Sequence, residues 1–160
     1  MKRTTVFLIL SLIVTSWGFS QVNAHALGLR LNGSHEHFGT ELSYQHGLGD
    51  ANRLELDLGW RSHKNWSQLS LTGMYHWVWN LTGGLNWYAG PGARVGMYNG
   101  KDNNSDSFGV SVGGQLGLEY DLNNNSVPLL LSIDIRPMWN LLGDYGGFGY
   151  GSAFGIRYTF

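Results

Sequence analysis

From Ala26 onward, side chains alternate in character with a period of two through eight successive segments, roughly 26–33, 39–47, 53–62, 66–80, 84–99, 107–122, 127–142 and 147–160. Clusters of Gly, Asn, Asp and Ser separate them. No other feature restricts the fold as much. Successive side chains of a strand point to opposite faces, so such a run reads as a strand with two unlike surfaces. Helical periodicity is absent, and glycine recurs too often for helices.

Each segment divides into two lists. In the third, Leu54, Leu56, Leu58 and Trp60 oppose Glu55, Asp57, Gly59 and Arg61. In the sixth, Phe108, Val110, Val112, Leu116, Leu118 and Tyr120 oppose Ser111, Gln115 and Glu119. The seventh sets Leu129, Leu131, Ile133, Ile135 and Trp139 against Ser132, Asp134, Arg136 and Asn140. In the eighth, Phe148, Tyr150, Phe154, Ile156, Tyr158 and Phe160 face away from Arg157 and several glycines. No Asp, Glu, Lys or Arg within these segments falls on an apolar face. Charged residues make up 13% of the chain, about half the usual share. A soluble barrel would turn its apolar face inward and cover the outside with Lys and Glu, yet the lysines after residue 24 are Lys64 and Lys101, both between segments.

The polar face is small and carries both signs of charge. Arg30, Arg61, Arg94, Arg136 and Arg157 stand against Glu41, Glu55, Asp57, Glu119, Asp121 and Asp134, with His76 on the same face. Near-balance suits a narrow interior, where unpaired charges cost several kcal/mol each. An eight-stranded barrel is just wide enough for its side chains to fill it. The fold expected is all-β: an eight-stranded, antiparallel, up-and-down transmembrane β-barrel whose lumen is plugged by salt bridges.

Aromatic placement agrees. Tyr44, Trp77, Trp79, Trp87, Tyr120 and Tyr158 lie near the tight-turn ends of their strands, and Trp60, Trp139 and Tyr150 near the opposite ends. Two such girdles flanking an aliphatic band match the two interfaces of a membrane.

Lys2 and Arg3, the apolar run Val6 to Val14 and the small-residue ending Val22-Asn23-Ala24 predict a cleavable secretory signal over residues 1–24, with the barrel domain at 25–160. An even strand number places both termini with the tight turns at Gly47–Asn52, Asn80–Gly84 and Leu122–Val127, the periplasmic side in outer-membrane barrels. The formal net charge of −1 offers nucleic acid no basic surface. The absence of cysteine excludes a disulfide scaffold, a thiolate metal site and a cysteine nucleophile. A closed barrel leaves no edge to pair, so a monomer is expected.

The ending Gly155-Ile156-Arg157-Tyr158-Thr159-Phe160 resembles the terminal strand of bacterial outer-membrane proteins. That resemblance implies that Phe160 belongs to the signal read by the barrel-assembly machinery. Leu85 to Ala93, Leu116 to Tyr120, and Asp134 to Pro137 with Trp139 to Leu141 are similar to small barrels of the OmpX and OmpA membrane-domain type common in Bacteroidota. The resemblance covers the second half of the chain and implies a bacterial outer-membrane location, with outer-membrane lipid and lipopolysaccharide as surroundings. It says little about a task.

Chemistry is sparse. Lipid A deacylases of this size use an outward-facing Ser and His, but His46 and His76 have no such partner: Ser43 faces away from His46, and Ser70 and Thr72 share the inward face with His76. His35-Glu36-His37, and Asp102 with Asp106, lack the spacing of dedicated metal sites. No catalytic residue, metal site or cofactor is expected. The sequence therefore predicts a non-enzymatic barrel serving membrane structure or surface contact. A small porin-like permeation barrel is the alternative, and a lipid-modifying enzyme ranks below it.

Overall fold

A computed structural model describes residues 22–34, 37–62, 66–100, 106–142 and 147–160. Eight strands follow one another in a single closed, antiparallel, up-and-down barrel. They are β1 (His25–Ser34), β2 (His37–Gly47), β3 (Asn52–Ser62), β4 (Trp66–Thr82), β5 (Leu85–Gly100), β6 (Asp106–Asp121), β7 (Leu129–Leu142) and β8 (Gly147–Thr159). Each strand pairs with its neighbours in sequence, and β1 pairs with β8 from Ala26↔Thr159 to Gly33↔Ser152, closing the seam. Beyond that ladder, the Phe160 N–H donates to the His25 carbonyl at 3.0 Å. Closure leaves every strand paired on both sides, the condition for strands that cross a bilayer.

Strand limits agree with the alternation to within two residues, and β7 shows why they differ at all. Leu122–Asn125 form one 3-10 turn, with Asp121 as N-cap accepting from the Asn123 N–H at 2.9 Å. The strand resumes only at Leu129, after Pro128. Pro91 and Pro137 sit inside strands. The β4–β5 ladder is interrupted between Met74↔Gly92 and Trp77↔Ala89, and the β6–β7 ladder between Gly113↔Met138 and Leu116↔Ile135. Each proline lacks the N–H that would bridge its gap.

The two surfaces are inverted relative to a soluble domain. Among the described residues, seven hydrophobic side chains are buried against nineteen polar or charged ones. Leucines, isoleucines and aromatics cover the outside, among them Leu31 at 55% exposure and Ile133 at 61%. No charged strand side chain among the described residues lies on that outer face. An unbroken apolar exterior of this extent far exceeds what a water-soluble monomer shows. Of the expected export signal, residues 1–21 lie outside the described residues; Val22 donates its N–H to the Asp50 carbonyl beside the β2–β3 turn.

Candidate functional site: the lumen

The lumen's charge network follows from the pleat. Inward positions recur at every second residue, so strands distant in sequence deliver their polar side chains to one axis. Arg30 on β1 is bonded to Glu41 through Nη1 at 2.5 Å and to Asp134 through Nη2. Arg136 on β7 reaches Asp57 at 2.5 Å, Glu55 at 3.1 Å and Glu41 at 3.5 Å. Arg157 on β8 meets Glu55 at 3.0 Å and also donates to Ser43 and Ser132. Three arginines and four carboxylates thus form one connected cluster across five strands. Every one of these side chains is nearly inaccessible.

Neutral groups add further hydrogen bonds, although Asp57 Oδ1 is left without one. Gln45 and Gln115 donate to Glu55 at 2.5 and 3.2 Å, and the Gln115 carbonyl accepts from Arg136 Nε and Nη2. Tyr88 lies across the lumen with its hydroxyl 3.3 Å from Asp134. Its ring occupies the space where a Cβ at residue 117 would lie, so Gly117 is the partner its size requires. A cluster with charges this well paired avoids the desolvation penalty of an isolated buried ion.

A second group lies toward the turn end. Arg53 pairs with Glu119 at 2.6 Å, donates Nε to His76 at 3.3 Å, and places its guanidinium carbon 4.6 Å from the Tyr88 ring centroid. The alternation of β3 puts Arg53 on the same face as Glu55 and Asp57. That signal was present in the sequence: Arg53 is the first residue of the third segment, and its place at the segment's end left it out of the lumen list. Tyr88, Gln45 and Gln115 were equally invisible to a search for charge.

Among the twelve residues read from sequence as lumen network, eight form ion pairs: Arg30, Glu41, Glu55, Asp57, Glu119, Asp134, Arg136 and Arg157. His76 is buried beside Arg53 and Tyr88. Asp121 is placed elsewhere: it caps the turn after β6 and accepts from Asn23 at 2.8 Å. Arg61 and Arg94 lie toward the opposite end, and neither makes an ion pair among the described residues. Arg61 donates to Asn32 at 2.5 Å and Arg94 to Thr72 at 3.1 Å.

All nine girdle aromatics lie on the outer face. Trp60 and Tyr150 are 69% and 67% exposed, and Trp77, Tyr120, Trp139 and Tyr158 are also exposed. Trp79 stacks on Trp87 across β4–β5 with ring centroids 4.2 Å apart. Tyr44 bonds and stacks with His25, which also stacks on Phe160. His46 lies on this face beside His25, while Ser43 points inward to Arg157. The loop candidates His35, Glu36 and Asp102 lie outside the described residues, as do the side chains of His37 and Asp106.

No family model and no curated protein matches the sequence. Solved structures do match the fold. Outer membrane protein H (OprH) of P. aeruginosa superposes with a TM-score of 0.66 at 14% identity, covering 87% of this chain and all of that one. Neisserial surface protein A gives 0.61 at 15% identity, over 85% of this chain and 94% of that one. The N-terminal barrel domain of P. aeruginosa OprF gives 0.56 at 17%, over 86% of this chain and all of that domain. This chain has the fold of the small eight-stranded outer-membrane β-barrels.

Proposed function

We propose that the protein is an integral outer-membrane barrel with a structural, plugged lumen and no enzymatic activity, contributing to the integrity or surface properties of that membrane. One observation carries this reading: an apolar face around the whole circumference encloses a charge cluster whose ions are paired with one another. The apolar band demands lipid as its solvent. The ion pairs occupy the axis that a conducting pathway would need to hydrate.

On this reading residues 1–24 are the export signal and both termini face the periplasm. Phe160 is read by the barrel-assembly machinery, lipid and lipopolysaccharide surround the barrel, and the barrel is a monomer. Fractionation of cells expressing the full chain tests the location, with the protein expected in the outer membrane and folded protein migrating differently from boiled protein on gels. Planar-bilayer recordings test the lumen. Large, steady channels would replace the plugged barrel with a permeation barrel; silent bilayers are expected.

A further inference from the structure

The lumen's arginines are not ion-paired alike along its whole length. Five buried carboxylates, Glu41, Glu55, Asp57, Glu119 and Asp134, are all bonded to arginines of the two groups above. Toward the loop end, a cavity of about 230 Å³ is lined by Arg30, Arg61, Arg94 and Arg136 together with Asn32 and Tyr150. Among the described residues no carboxylate belongs to that lining, and Glu41 lines the small adjoining pocket with Arg61 and Arg94. Arg30 and Arg136 form its floor and are neutralised from below. Arg61 and Arg94 hold only neutral acceptors among the described residues, one bond each, although a guanidinium carries five N–H donors.

Arg61 is one residue from the end of β3, where a long side chain could extend into solvent. It folds inward instead. A Cβ at residue 39 would stand 2.5 Å from Arg61 Nε and 2.6 Å from Asn32 Oδ1, so Gly39 supplies the space in which the pair lies. Concave, low-dielectric walls of one sign concentrate counterions. Guanidinium forks match the oxygens of phosphate in bidentate fashion.

We propose that this loop-end vestibule binds a phosphate-type oxyanion, gripped by Arg61 and Arg94 over a floor of Arg30 and Arg136. A tetrahedral dianion offers oxygens to donors on different walls, whereas one carboxylate satisfies one fork. At about 230 Å³ the cavity has room for several waters. That accommodates a phosphate with part of its hydration but no extended chain. The anion is free phosphate, or a phosphate monoester of a lipid headgroup reaching over the barrel rim.

The test uses the barrel refolded in zwitterionic detergent and titrated with inorganic phosphate, with sodium chloride holding ionic strength constant. Saturable binding is expected with a dissociation constant of about millimolar order, as read by calorimetry. In R61Q/R94Q the affinity falls by about tenfold or more, while the unboiled protein keeps its folded mobility. Nitrogen-detected NMR of the arginine Nε–Hε groups gives a second readout on the unaltered protein, with the Arg61 and Arg94 signals moving saturably. Competition by lipid A but not by dephosphorylated lipid A assigns the headgroup source, and no competition by either assigns free phosphate. The proposal is overturned by a response equal to that of chloride, by unchanged affinity in folded R61Q/R94Q, or by unmoved Arg61 and Arg94 signals at saturating phosphate.

Discussion

The middle and turn half of the lumen and its loop end use the same residue type, arginine, in opposite ways. In the middle, Arg30, Arg136 and Arg157 meet Glu41, Glu55, Asp57 and Asp134 in one connected cluster. At the loop end, Arg61 and Arg94 donate to the neutral Asn32 and Thr72 and make no ion pair among the described residues. The difference lies in which strands carry acids at which height. Five carboxylates pair with the lower arginines, and of these only Glu41 also lines a pocket with Arg61 and Arg94. Paired charges hold the barrel's interior in a single arrangement. Arginines that make no ion pair among the described residues keep N–H donors for other acceptors, which is a property for binding rather than for folding.

The comparison can be broken most directly at Arg136. Arg136→Met leaves Asp57 buried without its ion-pair partner and strips Glu55 of one of two. Removing one partner of a buried pair costs about 3–5 kcal/mol, so urea unfolding in detergent should shift by that amount. Adding Asp57→Asn should recover part of the loss; an additive double variant would mean that the two groups are not coupled. The outer face gives the next effect. Ile135→Arg, at mid-height on β7, should destabilise by about 2–4 kcal/mol in lipid bilayers, the range for an arginine at the midplane. Unchanged stability there would remove the lipid assignment of that face.

Smaller effects sharpen the boundary between the two regions. Asp121→Ala removes the cap after β6 and should cost about 1 kcal/mol, with no change in the lumen arginine signals by NMR. Arg94→Gln loses one hydrogen bond to a neutral hydroxyl and should cost about 0.5 kcal/mol. A loss at Arg94 as large as that at Arg136 would show that the loop-end arginines also hold the barrel together.

Much of this was legible in the residues themselves. The alternation of β3, Leu54-Glu55-Leu56-Asp57-Leu58, assigns faces without reference to any partner strand, because the strand period is a property of the backbone alone. Girdle positions such as Trp60 and Trp139 follow from the same count, combined with distance from a turn. Arg53 escaped because it opens its segment, where alternation gives its face but not whether its side chain turns into the lumen or out to the adjoining turn. Asp121 was misplaced for the converse reason. Its strand ends one residue before the alternation does, and the carboxylate is closer to the Asn123 N–H than to any lumen cation.

The sequence by itself determined the strand count, the two-faced pattern and the confinement of charge to one face, since these are written in nearest-neighbour order. Which arginine meets which acid was decided by the tertiary structure alone. Arg30 and Asp134 are 104 residues apart, and Arg157 and Glu55 are separated by 102. Their meeting depends on the closure of β1 on β8 and on the register of each ladder. Closure and register sum small offsets over all eight strands, and no local pattern records that sum. The same sum brings Arg61 and Arg94 together at the loop end, beside Glu41 and around one cavity with Arg30 and Arg136.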